Sequence, residues 1–361
     1  MKILLDTHML GQKETGNERY WKNLSGAFSK NKNGYEFYNY KQSSRNGLYR
    51  IMRGFNNEIK SLKPDIIHVQ NFIPFVKLVP IVNTVHDLCF KSCPDSFGIK
   101  TKLAFKFFFK HSLNLSDAII CVSESTKKNL LKYYKVDKSK VFVIYEGVDP
   151  IFRYIKNKLK VKNLLKDRFE ISRDYFLVVG YKGKRKRADR IIENFKELIK
   201  TNKNIQLVLI GPEDSSFDKQ YQDLIIYNRL KILNYVSDDD LNLLYNGALS
   251  LINYSSCEGF GLPIIEAMRC KTPVICSDIP VFREITDNKA VFVKNEKSLS
   301  LAMINFLENE RLRTKFSLLG YRRSKFFSWD KTAKQTLKVY KWVLKTKNSP
   351  TAKYIFTDNV K

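Results

Sequence analysis

Apolar positions along this chain fall into two alternating patterns. Short β-branched runs read as buried strands: "KILLD" (2–6), "DIIHV" (65–69), "PIVNTVHD" (80–87), "DAIICVS" (117–123) and "VFVIYEG" (141–147). Between them lie stretches with helical spacing, "ERYWKNLSGAF" (18–28), "TKLAFKFFFKHSLNL" (101–115) and "STKKNLLKYY" (125–134). A lysine-rich stretch (153–171) with little apolar weight reads as a linker or surface helix. The alternation then restarts with strands at 175–180, 205–211, 231–236, 249–255, 273–277 and 290–293. Helices are predicted at 188–200, 238–248, 263–270 and 297–307. Strands alternating with helices imply parallel sheets, here in two doubly wound, Rossmann-like α/β domains. The domains are placed at 1–160 and 172–328, facing a cleft, with a last amphipathic helix at 329–345 returning to the first domain. Neither carries the dinucleotide G-x-G-x-x-G after its first strand.

Composition narrows the picture. A chain of 361 residues exceeds the usual span of one core, and 43% hydrophobic residues suit a globular protein. The six cysteines form no C-x-x-C pair, and the four histidines have no ligand spacing with them. Reduced, packed cysteine and no metal are expected. No run reaches the ~18 apolar residues of a membrane span, and "MKILLD" is too short for a signal peptide. A cytoplasmic protein is expected. The net charge of +28 is spread along the chain: 31 basic against 15 acidic residues through position 170, and 33 against 21 after it. Such a surplus favours an anionic partner: phosphates, an acidic membrane surface or nucleic acid.

One helix suggests where a membrane would be met. In 101–115, Lys102, Lys106 and Lys110 recur every four residues, along one stripe. Leu103, Phe107 and Leu113 are expected to face the core. Phe105, Phe108 and Phe109 then leave more aromatic surface than one buried face needs. A basic stripe beside aromatic residues suits an anionic bilayer, at the inner membrane face; a core helix kept soluble by its lysines is the alternative.

The most informative stretch is "CEGFGLPIIEAM" (257–268). A strand precedes it, and Pro263 is a favoured early helical residue, so "SCEGFG" is a strand-to-helix loop. In open α/β sheets such loops line the ligand crevice. Gly259 and Gly261 let the backbone turn and approach a ligand, and the helix start suits a phosphate. Glu258 stands at the strand end and Glu266 in the first helical turn, each able to accept hydrogen bonds from hydroxyls. A sugar nucleotide fits that arrangement.

Residues 255–285, "SSCEGFGLPIIEAMRCKTPVICSDIPVFREI", closely resemble the donor-site signature of family 4 glycosyltransferases, E-G-F-G-L-P-x-x-E-A-M followed by P-V-I-x-S. Lys271 stands where the family usually has a glycine. The resemblance extends to "YFLVVGYKGKRKRADRIIENFKEL" (175–198), to Gly16 and Arg19-Tyr20 of an amino-terminal glycine loop, to "NTVHDLCF" (83–90), to "GVD" (147–149) and to the closing tryptophan and helix (326–340). Glu18 replaces that loop's second glycine, and Tyr181 stands where an arginine is common.

The resemblance implies the two-domain GT-B fold and retaining transfer of a glycosyl unit from a UDP- or GDP-sugar to a hydroxyl of a glycan or lipid-linked acceptor, in surface-polysaccharide or glycolipid synthesis. It implies Lys186 and Arg185 on the diphosphate, Glu258 and the N–H groups of Gly259, Phe260 and Gly261 on the sugar, and His86 orienting the sugar. Leu262 and Gly16 complete the donor site, and Glu266 holds the ribose. No cofactor or metal is implied, and no nucleic acid is expected. The acidic "SDDD" (237–240) resembles a D-x-D metal motif but precedes an apolar-periodic helix, so it reads as a cap. Alternatives are an epimerase or phosphorylase on the same fold, or a basic GT-B protein that binds membrane or nucleic acid without catalysis.

Overall fold

The computed structural model describes residues 1–11, 16–30, 34–40, 49–212 and 214–348. The chain divides into two compact units. The first comprises Met1–Gly147 with Trp329–Lys361, the second Val148–Ser328. The division falls earlier than residue 160 because the Lys158–Phe169 helix packs Val161 and Leu165 inward within the second unit, and a Cβ on Gly247 would collide with Leu165.

In the first unit, β1 (Lys2–Leu5), β2 (Glu36–Asn39), β3 (Ile66–Gln70), β4 (Ile81–Val85), β5 (Ala118–Cys121) and β6 (Val141–Val143) form one sheet, ordered β2-β1-β3-β4-β5-β6. All its pairings are parallel. β3, β4 and β5 are buried at every position, as strands of a parallel sheet covered on both faces should be. Strand order reverses between β1 and β3, so the crevice of this unit opens at their carboxyl ends.

The Trp329–Asn348 helix completes the unit against the Gly16–Lys30 helix. Tyr340, fully buried, meets His68 Nδ1 at 2.6 Å, and His68 Nε2 meets Thr84 Oγ1 at 2.7 Å. Tyr20 OH lies 3.0 Å from the same Thr84 oxygen. Burial, with His86 nearby, holds His68 down at about 3, so its ring is neutral.

In the second unit, β7 (Asp174–Val179), β8 (Ile205–Ile210), β9 (Leu230–Leu233), β10 (Ser250–Asn253), β11 (Val274–Ser277) and β12 (Val291–Val293) are ordered β12-β11-β10-β7-β8-β9, again parallel. This is a Rossmann order, with its switch point between β7 and β10. A Glu310–Ser324 helix, too polar to stand out in the sequence, packs on the Leu262–Arg269 helix. A Cβ on Gly320 would come within 2.9 Å of Met268 Cγ, so only glycine permits this approach.

The 101–115 expectation needs correction. The stretch is helical from Ile99 to Leu115, with a wide π-type turn at Phe105–Phe109. Phe109 and Leu113 are buried, Phe105 packs with them, and Leu103 and Phe107 are exposed. Two apolar rows compete for one helix. Phe90 and Phe72 offer ring contacts to the Phe105 side, at 4.3 and 4.9 Å, and so select it.

Candidate active site

The β10 strand ends in the loop 254–261, and the next helix begins at Leu262. Gly261 adopts φ 107°, and a Cβ there would press on Phe282 and Ile285 at 3.0 and 3.1 Å. Conformation and crowding both demand glycine. Gly259 is not among the glycines with positive φ. Phe260 is buried edge-on to Phe327, and Leu262 is buried at the helix start. No side chain caps this start, so its positive dipole end is open to an anion.

The loop after β7 lies alongside. Gly180 (φ 72°) and Gly183 (φ 98°) bend it, and Lys184–Lys186 form a single tight turn before the Ala188–Thr201 helix. Two hydrogen bonds stitch the loops: Ser256 N donates to Arg185 O at 2.8 Å, and the Arg185 side chain donates from Nη1 to Cys257 O at 3.2 Å. The strand-order switch thus brings positions 185–186 to position 258 across some seventy intervening residues.

The result is a three-charge cluster. Lys186 Nζ lies 2.6 Å and Arg185 Nη1 2.7 Å from the same oxygen, Glu258 Oε1. Burial pushes the Glu258 carboxyl up, but Lys186 and Arg185 together outweigh it and hold it down at about 2. Glu258 is therefore a carboxylate, an acceptor only. Two cations beside an uncapped helix start are an arrangement able to neutralise a polyanion.

Glu266 is placed differently from expectation. The helix begins one residue early, at Leu262, so Glu266 stands beyond the first turn, which carries no acid. It is buried and accepts a 2.9 Å hydrogen bond from Tyr245 OH. Tyr245 gave no signal in the sequence, where it is one apolar position of a helical run. Its ring is also fully buried, edge-on to Phe152 at 5.7 Å.

His86 and Gly16 belong to the first unit. His86 follows β4, and its Nδ1 lies 3.1 Å from Glu146 Oε1. Tyr20 sets its ring edge-on to His86, 4.9 Å away at 87°, so two motif residues far apart in sequence are brought into contact. Gly16 opens the Gly16–Lys30 helix with open space where a Cβ would stand. Part of its loop, 12–15, lies outside the described residues. Glu18, in place of the second glycine, accepts from Gly11 N at 2.9 Å.

Two further sequence features find their places. Ser237 Oγ accepts from Asp240 N at 3.1 Å, and Asp240 pairs with Arg168 at 2.7 Å, so "SDDD" starts a helix as a cap. Lys271 takes φ 62°, the left-handed conformation of the glycine it replaces, with Nζ 4.1 Å from the Tyr154 ring centroid. A side chain in this conformation costs some strain.

Comparison with known proteins decides the family. A model for "Glycosyltransferase Family 4" matches residues 18–152, and one for "Glycosyl transferases group 1" matches residues 162–323. The chain belongs to glycosyltransferase family 4. This glycosyltransferase is 35% identical over 226 residues to the O-antigen chain mannosyltransferase RfbU of Salmonella typhimurium, a match covering 62% of the chain and 59% of that relative. It is 26% identical over 293 residues to O-antigen chain mannosyltransferase B of Escherichia coli, covering 78% and 76%. Among solved structures, HepE of Anabaena in complex with UDP and glucose superposes with a TM-score of 0.71 at 17% identity, covering 94% of this chain and 99% of that one. The architecture of the family 4 glycosyltransferase is GT-B, built from two parallel-sheet units.

Proposed function

We propose that this glycosyltransferase moves a sugar from a nucleotide-sugar donor to an acceptor hydroxyl of a growing surface polysaccharide, with retention and without a metal. One observation carries the reading: Lys186 and Arg185 converge on Glu258 beside an open helix start, at the strand-order switch of the second sheet. As the bond to the anomeric carbon breaks, negative charge develops on the leaving diphosphate. Fixed cations and helix N–H groups stabilise that charge without reorganising. Glu258, freed of part of its ion pairing, accepts hydrogen bonds from sugar hydroxyls. Glu266 holds the ribose, and His86 meets the sugar.

Two relatives are named as O-antigen mannosyltransferases, which makes a nucleotide-activated mannose the first donor to try. The test is incubation with a panel of UDP-, GDP- and ADP-sugars, including mannosyl donors, with nucleotide release measured. An EDTA arm tests metal independence. Release that EDTA abolishes and magnesium or manganese restores would overturn it. Phosphate-dependent glycan cleavage in place of transfer would favour a phosphorylase.

A second observation bears on where the enzyme works. Ile99, Leu103 and Phe107 are 70%, 46% and 64% exposed and recur every four residues. Phe75, Val76 and Leu78 are exposed in the loop whose Phe75 stacks on His111, one turn after Phe107. The exposed Lys106 and Lys110 flank this ladder. Apolar residues rimmed by lysines complement an anionic bilayer, which is the partner we assign to this face. No helix among the described residues is long and apolar enough to cross a membrane.

A further inference from the structure

The first unit holds a buried histidine, His68, and a largely buried one, His86, whose surroundings differ in one respect. His68 has both ring nitrogens partnered, Nδ1 with Tyr340 OH and Nε2 with Thr84 Oγ1. That is how a structural histidine is satisfied in a core. His86 has Nδ1 on Glu146 Oε1 at 3.1 Å, while Nε2 is buried and has no hydrogen-bond partner among the described residues. Its side chain is 11% exposed and that of Glu146 4%. A buried imidazole with one nitrogen committed and the other open is arranged to receive something.

We propose that Glu146 is a positioning residue for His86: it fixes the ring with the proton on Nδ1 and leaves Nε2 as a lone-pair acceptor for a sugar hydroxyl. A carboxylate can only accept, so the nitrogen facing it carries the hydrogen. In the neutral form of such a ring the lone pair is at Nε2. The edge of Tyr20 limits rotation of the same ring, and Thr126 Oγ1 donates to the His86 carbonyl at 3.4 Å, fixing its backbone. Glu146 lies three residues beyond β6 (Val141–Val143), at the carboxyl edge of the sheet where His86 follows β4. The ligand class follows from the open atom. A hydroxyl donor of a sugar fits a neutral Nε2, whereas a phosphate oxygen, an acceptor, does not. The inference rests on the reading that His86 meets the donor sugar.

The test combines spectroscopy with turnover. The full chain is labelled with 15N-histidine, and the tautomers of its four histidines are read from ring 1H–15N couplings, with His86→Ala identifying the signal. In the wild type the His86 proton is expected on Nδ1. Glu146→Gln, whose amide can donate to Nδ1, should move it to Nε2 and lower kcat by about 10–100-fold, the usual cost of losing such an orienting partner. Combined with His86→Ala, Glu146→Gln should add little further loss, because both act through one ring. A wild-type proton on Nε2 overturns the inference without any mutant having to fold. So do an unchanged tautomer in Glu146→Gln, or additive losses in the double variant. If His86→Ala turns over like the wild type, the assignment of His86 to the sugar falls, and the positioning role with it. A misplaced tautomer together with an inactive His86→Ala strikes the inference alone.

Discussion

Lys186 Nζ and Glu258 Oε1 stand 2.6 Å apart, and Arg185 shares the same oxygen. The cations proposed for the diphosphate are thus already engaged, and a donor must draw them from Glu258. Lys186→Ala should slow turnover by about a hundredfold, the scale of losing one preorganised charge donor. Single-turnover kinetics at saturating donor measure this. A loss confined to KM would assign Lys186 to binding alone.

Glu258 also links this site to acid stability. Its folded pKa of about 2 lies below its ordinary value of 4.5. A depressed carboxyl contributes stability that is fully present above 4.5 and is lost as pH falls through about 2. Wild type should therefore exceed Glu258→Gln in stability near neutrality, with the gap closing as the pH drops through that window. Urea unfolding of both proteins across that pH range decides it. A gap constant with pH would mean that the ion pairs do not hold the carboxyl down.

Glu266 and Tyr245 form a buried unit, so their effects should be ordered. Glu266→Ala should weaken nucleotide binding about tenfold or more, since charged hydrogen bonds contribute on the order of 1.5–3 kcal/mol each. Tyr245→Phe removes one orienting bond, on the order of 1 kcal/mol, and should weaken binding less, by about fivefold. Calorimetry with the preferred nucleotide reads both. Unchanged affinity in Glu266→Ala would remove it from the ribose.

Vesicle binding separates the two rows of the 99–115 helix. The protein should co-sediment with anionic vesicles at low salt and be released at high salt. Reversing Lys102, Lys106 and Lys110 to Glu should weaken binding by about a hundredfold or more, given roughly 1 kcal/mol per basic residue. Leu103→Ser with Phe107→Ser should lose vesicle binding at unchanged stability, because both are exposed. Phe109→Ala, fully buried, should instead destabilise the fold by about 3–5 kcal/mol. Retained binding in the first two variants would exclude this face.

Much of the fold was legible because a doubly wound sheet writes each strand as a compact apolar run. Ten strands besides β1 follow from such runs; the edge strand β2 does not, because its Glu36–Asn39 is exposed or half-buried throughout. The Glu310–Ser324 helix escaped for a related reason. It buries fully only Gly320 and Ser324, and its half-buried Leu312 and Phe316 stand among so many charged residues that the apolar signal is diluted. Site residues carried by a contiguous motif, Glu258 to Glu266, were readable as chemistry. Their partners were not: Tyr245 and Glu146 lie 21 and 60 positions from the residues they bond, and only tertiary structure joins them. Periodicity likewise found two apolar rows at 101–115 but could not say which one the neighbouring phenylalanines would take.

The first unit is built from both ends of the described chain, with residues 148–328 between them. On the ribosome, β1 and the Gly16–Lys30 helix emerge long before Tyr340, which closes over His68. At ordinary rates of synthesis the delay is on the order of fifteen to sixty seconds. Before Tyr340 emerges, the second unit has received all its residues and can fold, while the first still keeps an uncovered apolar seam around Trp21 and Phe28. The order of completion is therefore the reverse of the order of translation.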